Sequence, residues 1–249
     1  MNINSNTYVL GFATCVCVGV STALALVANG LKDLQTAAAE FDRQKNVMIA
    51  AGLCAADDER SQADLKTLFE DRVTEVVVDT QTGEAAADVT IADVKLFRSD
   101  AMRDRYRVIA TTKDESGALE AVVLPISGKG LWSQIYGYIA LESDVDTVRG
   151  ITFYKHGETP GLGGEVENAD WQDQWRGIYK GAQTDVRKKI LDDEGELVSI
   201  ALKKTMGTER DKHAVDGLAG ATITCNGVTD FLLADLEALA AYLDKLRNS

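Results

Sequence analysis

From Met1 to Leu31 no side chain carries a charge, and Tyr8 to Leu31 (YVLGFATCVCVGVSTALALVANGL) is an almost unbroken apolar run. A helix needs about 20 such residues to cross the hydrocarbon core of a bilayer. The run is longer than the apolar stretch of a signal peptide, and no basic segment precedes it. It therefore predicts an uncleaved membrane anchor over residues 1–31, with a cleaved signal peptide as the alternative. Leu31 to Leu53 is rich in helix formers and predicts that the helix continues past the apolar run. A helical connector over 32–72 follows, in which Ser61, with Asp64 three positions on, is the expected N-cap of a short helix ending at Asp71.

The period then changes. Val73–Asp79, Tyr106–Thr112, Leu119–Ile126 and Val148–Tyr154 are β-branched and aromatic runs separated by turn signals such as QTGE and DESG, and each predicts a strand. Val186–Leu191 and Leu197–Leu202, joined by DDEGE, predict a further hairpin. Two stretches return to helical spacing. Asn168 to Tyr179 sets Trp171, Trp175 and Ile178 three and four apart, and Asn226 to Leu246 sets Val228, Phe231, Leu232, Leu236, Leu239, Leu243 and Leu246 on one face. Hairpin strands with helices set among them predict an α+β domain over 73–249, not a doubly wound parallel sheet.

Composition narrows what the domain can do. Lys plus Arg number 26 against 39 Asp plus Glu, a net charge of −13 that repels phosphate backbones and argues against a nucleic-acid partner. Cys15, Cys17, Cys54 and Cys225 have neither the CxxC spacing of a metal site nor the density of a disulfide scaffold, so no metal is expected. Cys15 and Cys17 fall inside the apolar run, where a small soft hydrophobe packs acceptably.

Two segments could carry chemistry. Asp216 to Asn226, DGLAGATITCN, stands directly before the last predicted helix. Gly217, Ala219, Gly220 and Ala221 permit close approach of a ligand, Thr222 and Thr224 offer hydroxyls, and the free amides of a helix N-terminus suit a phosphate. The bland alternative is a turn capped by Thr and Asn. No GxxxxGK[ST] is present, which excludes a nucleotide P-loop. His156 to Glu165, HGETPGLGGE, is a glycine-rich loop able to lie against a planar group, or an ordinary surface connection. His156 and His213 are the only histidines, and neither has a nucleophile or metal-ligand partner in the sequence. Both are expected to serve as hydrogen-bonding residues. Asp57, Asp58 and Glu59 read as a solvated turn. Trp132, Tyr136 and Tyr138, in GLWSQIYGYIALE, could face a ligand, but packing is the expected role.

Taken together, PISGKGLWSQIYGYIALE (Pro125–Glu142), GITFYKHGETPGLGGEVEN (Gly150–Asn168) and VDGLAGATITCNGV (Val215–Val228) resemble the NqrC family, the C subunits of the bacterial sodium-translocating NADH:quinone reductases, and more distantly the G subunit of the related Rnf complex. With the single N-terminal span, the resemblance covers essentially the whole chain. It implies an α+β FMN-binding domain with antiparallel hairpins, and a motif, Asp-x-x-[Ser/Thr]-Gly-Ala-Thr, at which a flavin transferase joins the phosphate of FMN to the threonine. Residue by residue the motif falls on Asp216, Ala219, Gly220, Ala221 and Thr222. Ala219 departs from the usual Ser or Thr, losing a hydroxyl while keeping the small volume. Thr224 is a competing acceptor on chemical grounds. By the same resemblance HGETPGLGGE lines the flavin pocket, with Glu158, Thr159, Leu162 and Gly163 as its contacts; apart from it, Lys203 or Lys204 is a candidate to stabilise an anionic flavin.

The implied function is a one-electron relay inside a membrane complex that oxidises NADH, reduces ubiquinone and exports sodium. The chain has no Rossmann fingerprint, no iron–sulfur cysteine set and one span, so other subunits must supply those parts. Expected partners are these subunits, the flavin transferase during maturation, and membrane lipid. The resemblance places the body on the periplasmic side of the inner membrane. The Lys and Arg count points the other way, since Lys32, Arg43 and Lys45 follow the span and no base precedes it, but charge alone leaves the topology undecided. The alternatives are the G subunit of an Rnf complex or a cofactor-free, membrane-anchored assembly module.

Overall fold

A computed structural model describes residues 6–97, 99–114, 116–204 and 207–248. The chain divides into two compact units, Met1–Arg43 and Gln44–Ser249. Helix α1 (Asn6–Ala50) supplies the first unit. Leu10, Phe12, Leu24, Leu26 and Val27 point outward from it and are not covered by protein. A helix apolar on all sides belongs in a protein core or in lipid. Among the described residues it is the one helix long and apolar enough to cross a membrane.

The second unit is built on a six-stranded sheet in the order β2-β1-β3-β4-β5-β6, antiparallel throughout. Its elements in chain order begin with α2 (Gln62–Arg72), β1 (Val73–Asp79), β2 (Glu84–Ala85), α3 (Ile91–Leu96) and α4 (Asp100–Arg105). They continue through β3 (Tyr106–Lys113), β4 (Leu119–Lys129), β5 (Gln134–Glu142), β6 (Val148–Lys155) and α5 (Ala169–Asp173). The last are β7 (Ile178–Tyr179), β8 (Ala182–Gln183), β9 (Ala201–Lys203), β10 (Ala214–Asp216) and α6 (Thr222–Arg247). α2 opens on the expected capping box, the Ser61 hydroxyl accepting from the Asp64 amide and the Asp64 carboxylate accepting from the Ser61 amide.

Alternation decides what each face of the sheet meets. Val122, Leu124 and Ile126 of β4 stand opposite Leu141, Ile139 and Gly137 of β5, and this face packs against Val228, Leu232, Leu236 and Leu239 of α6. Gly128 of β4 and Gly227 of α6 let helix and strand close up: a Cβ on the first would collide with the Phe231 side chain, and on the second with the Lys129 carbonyl. On the other face, Gly150 of β6 lies against the Ala50 carbonyl, and the Thr152 hydroxyl donates to the Asn46 side chain at 3.1 Å. The end of α1 is buried there through Val47, Met48 and Ala50.

Four sequence expectations change. β5 is a fifth long strand inside the aromatic segment GLWSQIYGYIALE, for which packing but no strand is expected. The helix expected from Asn168 to Tyr179 is capped by Asn168 and runs only through Asp173, with a 3₁₀ turn at Gln174–Arg176, because Gly177 takes a left-handed φ of 78° and leads into β7. The hairpin expected over 186–202 shrinks to one bridge, Leu191 to Leu197. Ser199 adopts φ 61°, which ends the extended run, and β9 then pairs in parallel with β10. Finally, α6 begins at Thr222, four residues before the expected start.

Candidate functional site

The glycine-rich loop after β6, the β4–β5 turn and the start of α6 meet at Glu158. This carboxylate is buried, and its Oε1 accepts from the amides of Trp132 (2.9 Å) and Ser133 (3.1 Å). Its Oε2 accepts from the Leu131 amide (3.1 Å) and the Thr224 hydroxyl (2.7 Å). Burial pushes the Glu158 carboxyl up, but the hydrogen bonds from Thr224 and the three amides outweigh it and hold the group below the usual carboxylate range. The Glu158 amide in turn donates to Nδ1 of His156 at 3.1 Å, so that nitrogen is unprotonated and Nε2 faces Glu167 Oε1 at 3.0 Å. Gly163 lies directly over the node: a Cβ there would stand 2.6 Å from Thr224 Oγ1 and 2.8 Å from Glu158 Oε2.

The loop 216–221 is held from both ends. The Asp216 amide donates to Gln174 Oε1 (3.0 Å), and its carbonyl accepts from Trp171 Nε1 (2.7 Å). Its carboxylate is engaged with the Gly207 and Thr208 amides and the Thr208 hydroxyl. The Gly217 amide donates to the Lys203 carbonyl at 2.7 Å. The Leu218 amide donates to Cys225 Sγ at 3.2 Å. Gly220 has φ 73°, with Leu162 seated where a side chain would otherwise project.

The loop delivers the chain to Ala221, the N-cap of α6, which has no side chain to bond the first-turn amides. The orphan amides and the dipole of a helix this long favour an anion at that point. Thr222, the first helical residue, is exposed, and its hydroxyl bonds to nothing among the described residues. Thr224 is buried and committed to Glu158. Around the node lie four exposed apolar side chains: Leu131 and Trp132 from the β4–β5 turn, Leu162 from the glycine-rich loop, and Ile223 from α6.

The structure thus brings together Glu158, Leu162, Gly163, Gly220, Ala221, Thr222 and Thr224. Thr159 is exposed, its carbonyl accepting from the Leu162 and Gly164 amides. Lys203 bonds Asp211 at 2.5 Å, Lys204 is exposed, and the His213 ring contacts the Lys189 carbonyl at 2.9 Å. The packing role expected of the aromatic segment holds for Tyr138, which stacks on Tyr154 at 5.4 Å, and for Tyr136, under Lys155. It fails for Trp132, which is 70% exposed, because the Glu158-bonded turn turns it outward. His156 and Cys225 carry no sequence signal for their placement. Cys225 meets the Leu218 amide seven positions back, and His156 meets the Glu158 amide and the Glu167 carboxylate.

Against known proteins, a family profile described as FMN-binding domain matches residues 130–236. The chain is 36% identical to the C subunit of the Na(+)-translocating NADH-quinone reductase of Pseudomonas aeruginosa, over 99% of this chain and 98% of that protein. It is 37% identical to the protein of the same name from Yersinia pestis, over 94% and 90%. The crystal structure of Shewanella oneidensis NqrC superposes with a TM-score of 0.69 at 28% identity, covering 85% of this chain and all of that one.

Proposed function

Because this chain belongs to the family formed by the C subunits of the Na(+)-translocating NADH-quinone reductases, we propose that it carries FMN joined by a phosphoester to Thr222 and serves as the flavin-bearing redox component of such a complex. The observation that carries the attachment is the contrast between the two threonines at the start of α6. Thr222 presents an exposed hydroxyl, unbonded among the described residues, beside the uncapped helix terminus, whereas Thr224 is buried under Gly163 with its hydroxyl donated to Glu158.

The residues present suit the group. The first-turn amides of α6 would hold the phosphate, and the exposed apolar side chains of Leu131, Trp132, Leu162 and Ile223 would offer a surface to the ring. Glu158 stays ionised beneath that surface and holds both flanking loops in register. In attachment, Thr222 Oγ1 forms the new bond to phosphorus and gives up its proton. The leaving group is the nucleotide half of a pyrophosphate-linked flavin, delivered by a flavin transferase, so no external oxidant or reductant is needed. When bound, the flavin supplies one-electron relay chemistry. A covalent link removes cofactor loss, which suits a body on the periplasmic side of the inner membrane, anchored through the apolar run of α1.

Within the complex, NADH oxidation, ubiquinone reduction and sodium export require the other subunits, since this chain has one candidate span among its described residues and no nucleotide fingerprint in its sequence. The test is flavin fluorescence of the full-length band after denaturing electrophoresis, from cells co-expressing a flavin transferase. A fluorescent band that is lost in Thr222→Ala is expected. A dark wild-type band from membrane-inserted, folded protein overturns the proposal.

A further inference from the structure

Lys188 is fully buried, yet among the described residues no carboxylate bonds its ammonium. Its Nζ donates to the Thr208 carbonyl at 2.8 Å and the Asp211 carbonyl at 2.6 Å, and it sits 5.1 Å from the centre of the Tyr179 ring. Two carbonyls thus accept from the ammonium, and the Tyr179 ring lies beside it as a cation–π partner. Burying a cation this way is costly, and a methionine would fill the space without a charge to desolvate. The arrangement therefore calls for something that an apolar residue cannot do.

What it holds is the turn from Gly207 to Asp211. The amides of Gly207 and Thr208 and the Thr208 hydroxyl all donate to Asp216 Oδ1, at 3.1, 3.2 and 2.9 Å. Since the Thr208 hydroxyl donates to Asp216, Tyr179 must donate its own hydroxyl to Thr208 Oγ1, at 3.0 Å. Asp216 is the first residue of the loop that ends at Thr222. At the other end, the Lys188 carbonyl accepts from the Val148 amide at 2.8 Å, where β6 begins. Lys188 is thus a strut from the sheet to the turn, and the turn grips the loop.

We propose that Lys188 is the positioning residue of the flavin-bearing loop, its ammonium fixing the Thr208–Asp211 turn so that Asp216 holds Thr222 in place for phosphoryl transfer. The inference rests on the reading that Thr222 is the attachment point. Burial lowers the Lys188 pKa to about 8, against the pull of Asp211, Asp216 and Glu209, with Lys203 opposing them. Above that pH the charge is lost, and the two carbonyl bonds weaken to those of a neutral amine.

The experiment compares the full-length chain with Lys188→Met and Thr208→Ala. Flavin-free chains are examined by hydrogen exchange, and the rate of covalent flavin incorporation is followed with FAD and a purified flavin transferase from pH 7 to 9. In Lys188→Met the Gly207 and Thr208 amides are expected to lose at least about tenfold in protection, because their bonds to Asp216 open with the turn. Flavin incorporation is expected to slow by a similar factor. The ratio of wild-type to Lys188→Met rates should fall as pH rises through 8, a profile that a purely structural role would not produce. Wild-type incorporation with an unchanged pH profile in Lys188→Met overturns the proposal even if protection falls. Should Lys188→Met fail to fold, Thr208→Ala decides: it keeps the Lys188 contact to the Thr208 carbonyl but cuts the hydroxyl link to Asp216, and an unaltered rate there overturns the proposal. If the wild-type chain takes up no covalent flavin, the attachment reading fails and this inference falls with it. Wild-type uptake with normal uptake in the variants sinks this inference alone.

Discussion

The Thr224 hydroxyl donates to Glu158 Oε2 at 2.7 Å across 66 positions of sequence, and that bond separates two threonines that chemistry alone leaves equivalent. A hydroxyl bonded to a buried carboxylate and covered by Gly163 cannot meet a bulky phosphoryl donor without breaking the node. Thr222→Ala should therefore abolish covalent flavin with little change in stability, whereas Thr224→Val should keep the flavin and lose about 1 kcal/mol from the missing hydrogen bond. Band fluorescence after denaturation and a melting curve read the two effects separately. Flavin retained in Thr222→Ala would move the attachment to another hydroxyl.

Glu158 accepts four hydrogen bonds that only the carboxylate can take together. Its folded pKa is lowered from 4.5, so its contribution to stability is fully present above 4.5 and is lost as pH falls through the folded value. Glu158→Gln turns an amide donor toward the backbone amides and should cost about 2 kcal/mol at neutral pH. The gap in melting temperature between wild type and variant should be widest near pH 7 and narrow below pH 4.5. A gap independent of pH would mean that the charge of Glu158 contributes nothing to the node.

Much of this architecture is legible from residue patterns. The anchor shows as an uncharged run, the Ser61 cap as a polar pair at the right spacing, and most strands as β-branched runs between turn residues. β5 does not show, because it lies between β4 and β6 with Ile135 and Gly137 to Leu141 buried, and so lacks the polar alternation of a half-exposed strand. Ser199 gives no warning of its left-handed backbone, since neither Gly nor Asn marks the position. In the site, the loops are visible as glycine-rich segments, but the partners that order them are not. Lys188 lies in an RKK run within the segment Val186–Leu191 expected as a hairpin strand, and the carbonyls that hold it come from 20 and 23 positions away.

Gly163 is the position where close approach is tightest around the node. A Cβ would fall 2.6 Å from Thr224 Oγ1 and 2.8 Å from Glu158 Oε2, neither of which can retreat without losing its bond. Gly163→Ala should thus cost about 1–3 kcal/mol, as overpacking does in a filled interior. The penalty should shrink when Thr224→Ala is made in the same chain, since the hydroxyl that collides is then gone. A double-mutant cycle on melting free energies measures that coupling, and strict additivity would show that the clash lies elsewhere.

Trp132 separates packing from ligand contact. Its indole is 70% exposed while its amide is fixed to Glu158 at 2.9 Å, so the backbone is rigid and the ring is free on the surface beside Leu131, Leu162 and Ile223. A side chain so placed adds little to folding, and Trp132→Ala should change stability by less than about 0.5 kcal/mol. If the ring instead covers a flavin tethered at Thr222, its loss must appear in the cofactor's spectrum. Stacking on an indole quenches flavin emission, so folded, flavin-loaded Trp132→Ala should fluoresce more brightly than wild type, while the denatured bands carry equal flavin. Equal emission from the two folded proteins would place the flavin ring away from Trp132 and leave Leu162 and Ile223 as the apolar surface that receives it.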